Sequence, residues 1–241
     1  MNEFISVIVP AYNEEKYIAG CLEALQKQDF PKDKFEILVV NNLSTDKTRE
    51  IAESMGVAVF DFSQNKGVGP VRQEGVKKAS GQILAFTDAD TKPEAAWLKK
   101  VSKDFEDPQV IGVGGKVLPE GAGFFTTFLF ELYDIFLKIN LFLGKPLPWG
   151  NNMAIRKDSF EKVGGFDLNL ATSEDWDLAL RLQKQFPNSK FIYDSNLKVL
   201  TSNRKQANTL VFLNYFWDSF NNYVSVVILG RAKSKEMKIV R

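Results

Sequence analysis

Asp88 and Asp90 stand two residues apart, directly after the apolar run Ile83 to Phe86. Side by side in solvent, two such carboxylates repel by roughly 1 kcal/mol. A hard divalent cation removes that conflict, and Mg²⁺ and Mn²⁺ commonly bind through one or two carboxylates plus substrate phosphates. A turn or cap is the plainer reading of the D-x-D spacing alone, but its place at a strand end favours the metal. A second acidic group, Glu174, Asp175 and Asp177, opens a helical stretch after Ser173. Acidic residues there suit the helix dipole. The chain contains no histidine, however, so any general base must be a carboxylate. Two polar stations complete the set. Pro10-Ala11-Tyr12-Asn13-Glu14 follows the apolar run from Phe4 to Val9, and Asn41-Asn42-Leu43-Ser44-Thr45-Asp46 follows Glu36 to Val40. Capping accounts for Ser44 or Asp46, but not for both adjacent asparagines.

These stations need strands that end together. Phe4 to Val9, Glu36 to Val40, Val57 to Phe60 and Ile83 to Thr87 read as strands alternating with amphipathic helical stretches, which predicts βαβα order and a parallel sheet between helices. In such sheets ligands bind beyond the carboxyl ends of the strands. The first helix is expected after Asn13 with Glu14 and Glu15 in its first turn, the second from Ser44 or Thr45, and the third over roughly Val68 to Ala79. After Asp90 the rhythm changes. The pattern predicts a helix around Glu94 to Phe105, a Gly-rich strand from Val110 to Leu118, a strand at Asn152 to Arg156, helices at Lys157 to Val163 and Ser173 to Gln185, and two short strands near 191–193 and 197–201. One continuous domain with a mixed second half is the simplest organisation.

Composition narrows the function classes. Lys plus Arg number 31 against 30 Asp plus Glu, which argues against general nucleic-acid binding. The single Cys21 forbids an internal disulfide and a cysteine-based zinc site. The opening residues lack a basic leader, so a cytoplasmic setting is expected.

In this order the residues resemble glycosyltransferase family 2, with the GT-A fold. The resemblance is carried by Ser6 to Glu14, Val39 to Thr48, Asn65-Lys66-Gly67 with Arg72 and Gly75, Asp88-Ala89-Asp90, Gly150 to Arg156, Gly164-Gly165-Phe166-Asp167 and Glu174 to Leu178. It implies a mixed, mostly parallel central sheet with helices on both faces. The catalytic domain would span 1–206, with a nucleotide-sugar half at 1–118 and an acceptor half at 119–206, and a C-terminal amphipathic segment would follow at 207–241. It further implies that Pro10, Ala11, Tyr12, Glu14, Asn41, Asn42, Arg72, Asp88 and Ala89 border the nucleotide sugar. Asp90, with Asp88, would hold Mg²⁺ or Mn²⁺. Asp175 would deprotonate the acceptor hydroxyl, with Trp149, Asn151, Asn152 and Glu174 on the acceptor side.

The implied reaction is inverting transfer from a nucleoside diphosphate sugar, UDP-sugar first, to a glycan or lipid-linked hydroxyl in glycan, polysaccharide or glycolipid synthesis. Two departures stand out: Asn41-Asn42 replaces the usual acidic pair, and Thr201-Ser202-Asn203 lies where a late metal-binding histidine would be sought. No Q-x-x-R-W motif occurs, which favours one sugar per encounter. A polyprenyl-phosphate sugar synthase is the enzyme alternative, although Glu174-Asp175 argues against it because a phosphate acceptor is already ionised. A degenerate GT-A binding module without turnover is the non-enzyme alternative, motivated by Asn41-Asn42.

Aromatic residues concentrate in 124–143 and 210–229. In the first stretch Thr127, Glu131, Asp134 and Lys138 form a thin polar stripe, and Asn214, Asp218, Asn221 and Ser225 repeat it in the second. Each predicts a helix with a broad apolar face. The plain reading is that these faces cover the core or each other. The sharper one is a dimer patch or peripheral contact with the inner face of a membrane, since Arg231, Lys233, Lys235, Lys238 and Arg241 outnumber Glu236 in the tail that follows.

Overall fold

The computed structural model describes residues 3–63, 67–170, 172–205, 221 and 223–228. Strand β1 (Ile5–Ala11) lies between β2 (Phe35–Asn42) and β4 (Ile83–Phe86), and β3 (Ala58–Phe62) pairs with the far side of β2, all in parallel. β1, β4 and the centre of β2 are apolar on both sides because both sides are covered, whereas the edge strand β3 is not buried. Ile5, Val7 and Val9 pack with Leu22 and Leu25 of α1 (Ile18–Gln26), while Ile8 faces the opposite layer with Val76 of α3 (Val68–Lys78).

The second half extends the same sheet. β7 (Met153–Arg156) runs antiparallel to both β4 and β6 (Val110–Glu120), and β6 is parallel to β8 (Lys190–Ser202). Among the described residues the eight strands, with the short β5 (Thr91–Pro93) at one edge, lie in the order β3-β2-β1-β4-β7-β6-β8-β5. Helix α4 (Trp97–Asp104) adds Trp97, Leu98 and Val101 to the first core layer. Phe160 of α6 (Lys157–Lys162) and Leu178 and Leu182 of α7 (Glu174–Gln185) join the second. The mixed α/β architecture expected from the sequence is therefore present.

Several boundaries differ from the sequence reading. α1 begins at Ile18, so Glu14 and Glu15 precede it. Asn13 is left-handed (φ 52°), and the Glu14 carbonyl accepts from Tyr17 N and Ile18 N at 2.9 Å to close the turn that starts the helix. α2 (Thr48–Ser54) likewise starts after Asp46, whose carboxylate accepts from Thr48 N at 2.9 Å. The two strands expected near 191–193 and 197–201 are one long strand with an irregularity where Gly115 pairs with Asp194 and Lys116 with Lys198. β5 (Thr91–Pro93), an edge strand antiparallel to β8, was not expected.

The largest departure is α5 (Phe124–Phe142), whose apolar surface is split: Phe130 and Leu137 are buried, while a second apolar strip faces outward. Its polar stripe faces the protein: Glu131 pairs with Lys116, Asp134 is buried beside Lys138, and Lys138 lies over the Tyr193 ring. Phe124, Phe128, Leu132, Ile135, Ile139 and Phe142 are exposed instead. Lys116 of β6 and the Tyr193 ring of β8 hold the polar stripe beside the apolar residues that pack inward. Tyr223 packs on Phe136 and donates to Asn140 at 3.0 Å, and Ser225 is buried. Asn214 and Asp218 lie outside the described residues.

Candidate active site

The parallel strands deliver their polar ends to one edge. Loops after β1 and β2 are tied together: Ser44 Oγ accepts from Asn13 N at 3.0 Å, Asn13 Oδ1 accepts from Thr45 N at 2.8 Å, and Thr48 Oγ1 accepts from Glu14 N at 2.6 Å. Pro10 and Ala11 are buried in β1, leaving Tyr12 at the mouth. Asn41 donates to Asp61 Oδ1 at 2.9 Å, the chief cause that holds the Asp61 carboxyl below its ordinary range. Among the described residues the Oδ1 atoms of Asn41 and Asn42 are buried without a partner. Two unpaired carbonyls at a strand end call for N–H donors, because an unsatisfied buried acceptor is costly.

Arg72 organises the centre. Although α3 is the element that carries it, the guanidinium is nearly fully buried, donating from Nη2 to Asp88 Oδ1 at 2.8 Å and from Nη1 to Glu174 Oε1 at 2.5 Å. One cation thus joins the D-x-D turn to the start of α7. Burial raises the Glu174 carboxyl above its ordinary range while Arg72 opposes the shift. Burial, and then the neighbouring Glu174, pushes Asp175 up to about 7. That value is matched to proton abstraction near neutral pH.

Gly150 closes this cluster. A Cβ there would stand 2.8 Å from both Arg72 Nη1 and Asp175 Oδ2, so only glycine lets the 146–152 segment approach. The Gly164-Gly165 loop is held from the other side. Arg181 donates to the carbonyls of Val163 and Gly165 at 2.7 Å, and Gln73 Oε1 accepts from Phe166 N at 3.0 Å. These contacts fix α7 against α3 and so fix Asp175.

The remaining predicted positions divide. Trp149 stacks on Phe130 at 5.6 Å and meets Tyr133 at 4.5 Å, under α5. Asn151 donates to Thr91 Oγ1 at 3.2 Å. Asn152, expected on the acceptor side, is fully buried; it bonds Lys116 O, Leu197 O and Trp97 Nε1 and serves the framework. Ala89 is also buried. Asn65 and Lys66 lie outside the described residues.

The buried Cys21 thiol is raised first by burial and then by the charges of Asp88, Asp90 and Glu14. Among the described residues no three His, Cys, Asp or Glu side chains are grouped to cage a metal. The donor set is one of hard oxygens at the end of a strand, and it fits a divalent cation shared with a phosphate rather than one held by protein alone. The sequence reading missed Arg204, which follows β8. It pairs with Glu14 and lies 3.0 Å from Asp90 Oδ2.

Comparison with known proteins places this geometry. The model for glycosyl transferase family 2 matches residues 6–164, and one described as glycosyltransferase like family 2 matches 122–230. Glycosyltransferase AglE of Haloferax volcanii is 35% identical over 185 residues, covering 71% of this chain and 59% of that protein. Dolichyl N-acetyl-alpha-D-glucosaminyl phosphate 3-beta-D-2,3-diacetamido-2,3-dideoxy-beta-D-glucuronosyltransferase of Methanococcus voltae is 36% identical over 124 residues, 46% of this chain and 38% of that one. The solved structure of S. aureus TarS 1-349 with UDP-GlcNAc superposes with a TM-score of 0.68 at 25% identity, covering 83% of this chain and 58% of that one. The chain therefore spans less than two thirds of each of these proteins.

Proposed function

The chain belongs to glycosyl transferase family 2, and from that premise we propose that it is an inverting, non-processive transferase moving a sugar from a nucleoside diphosphate donor, UDP-sugar first, to a glycan or lipid-linked hydroxyl. The observation that carries this reading is the Arg72 bridge. It sets a carboxyl that titrates at about 7 on one side of the guanidinium and the Asp88-Asp90 turn on the other. The TarS complex with UDP-GlcNAc supports the choice of donor.

Asp175 removes the proton of the attacking hydroxyl, and its ionised form is the working one. Arg72 keeps it beside Glu174 and Asp88 so that the reacting groups meet in a fixed orientation. The buried carbonyls of Asn41 and Asn42 take N–H donors of the nucleobase. Asp90, with Asp88, would hold Mg²⁺ or Mn²⁺, which when bound neutralises charge on the departing diphosphate.

The exposed stripe of α5, from Phe124 to Phe142, is the membrane-facing surface in this reading. Among the described residues no helix is long and apolar enough to cross a membrane. The contact proposed is with the surface of the bilayer, and the excess of Lys and Arg in the sequence 231–241 favours an anionic one.

Thermal stabilisation by UDP- and GDP-sugars, with and without Mn²⁺, tests the proposal. Divalent-dependent stabilisation by a nucleotide sugar supports it. The absence of any nucleotide effect contradicts it.

A further inference from the structure

Arg204 sits in the short turn Asn203–Lys205 that ends β8. Its Nη1 donates to Glu14 Oε2 at 2.8 Å, its Nη2 contacts Glu14 Oε1, and the same Nη2 lies 3.0 Å from Asp90 Oδ2. The guanidinium also lies over the Tyr17 ring, 4.8 Å from its centre. The Glu14 and Asp90 side chains beneath it are 13% and 10% exposed, while that of Arg204 is 31% exposed. The cation therefore covers the carboxylate assigned above to the metal and keeps one face toward solvent.

We propose that Arg204 is a resident counter-cation of the donor site, competing with a divalent ion for Asp90 and binding the diphosphate of the nucleotide when that ion arrives. The proposal rests on the reading of Asp88 and Asp90 as the diphosphate end of the cleft. Its physical basis is charge. A divalent ion held by Asp90 would repel a guanidinium that lies 3.0 Å from Asp90 Oδ2, and its arrival would displace Arg204 from that contact. Glu14 and the Tyr17 ring keep the displaced group at the edge of the cleft. A guanidinium carries a planar fork of donors that matches phosphate oxygens, and a diphosphate entering with its metal is the anion that meets it there. Glu14 thus acts as a positioning residue, holding Arg204 rather than touching the sugar.

The test uses the full chain with Mn²⁺ alone, then with UDP and UMP, in native protein and in the Arg204→Gln and Arg204→Lys variants. Mn²⁺ binding is read by electron paramagnetic resonance and nucleotide binding by calorimetry. Arg204→Gln is expected to bind Mn²⁺ alone about fivefold more tightly, as suits the loss of one partly exposed competing charge. It is expected to bind UDP about tenfold more weakly, as suits the loss of a charge-assisted contact to phosphate, with UMP unchanged and Arg204→Lys intermediate. Equal Mn²⁺ affinity in native and Arg204→Gln protein, including none in either, overturns the proposal. So does an equal loss of UDP and UMP binding. If native protein binds no nucleotide, the transferase reading fails, and the comparison with Mn²⁺ alone still decides the competition at Asp90.

Discussion

Arg72 Nη1 lies 2.5 Å from Glu174 Oε1, a buried ion pair that ties the third helix of the chain to the seventh. Because the same guanidinium reaches Asp88 at 2.8 Å, the pair sets the spacing between the two acidic groups of the site. Removing the cation strands a buried carboxylate, a loss of about 3–5 kcal/mol. Urea denaturation of Arg72→Met is expected to show a drop of that order. The double variant Arg72→Met, Glu174→Met is expected to recover part of it, since an apolar pair does not bear the desolvation cost.

Asp175 gives a pH dependence of known sign. Its folded-state carboxyl titrates at about 7 against an ordinary 3.8, chiefly because of burial and then Glu174. Between those values the folded protein holds a proton that the unfolded chain has released. Its stability therefore falls as pH rises from about 4 to 7, while the ionised base and hence turnover increase. Melting temperatures of native and Asp175→Asn protein across that range check the first part, with a flatter dependence expected for the variant. The acid limb of the rate profile, half-maximal at about pH 7, checks the second.

Gly150 is expected to be intolerant of a single methyl. Its Cβ would press on both Arg72 Nη1 and Asp175 Oδ2 at 2.8 Å, and misplacement of a catalytic group by about 1 Å costs on the order of 10²-fold in rate. Gly150→Ala should lower kcat by that order and leave the circular-dichroism spectrum of the fold intact.

The α5 stripe makes a separate prediction. Phe128, Leu132, Ile135 and Ile139 are about half exposed, so replacing them with serine removes apolar surface from water at a cost of about 0.5 kcal/mol per site. Flotation with anionic liposomes is expected to recover native protein with the vesicles and leave the serine variant in the soluble fraction. Native protein that stays in the soluble fraction contradicts the membrane assignment.

How far the sequence reaches is clearest at particular residues. The parallel half is readable because Val7 and Val9 face one helix layer and Ile8 the other, which makes each strand a continuous apolar run. β5 is not, since three residues ending in Pro93 carry no periodicity. Periodicity finds α5 but not its orientation, because that depends on Lys116 and Tyr193, which are remote in sequence. Asp88, Asp90 and Asp175 stand out by residue type and position. Arg204 does not, because one arginine after a strand is ordinary until the fold brings it to Asp90. The only local signal was a cation just past the strand-like segment 197–201.

The central claim is that Asp175 is the base of a glycosyl transfer whose donor is held independently of it. The direct measurement is Mn²⁺-dependent release of UDP from a UDP-sugar by native protein and by Asp175→Asn, with donor affinity determined in parallel. The expected result is unchanged donor binding in the variant with release slowed by about 10²–10⁴-fold. Release at the native rate by Asp175→Asn would contradict the account.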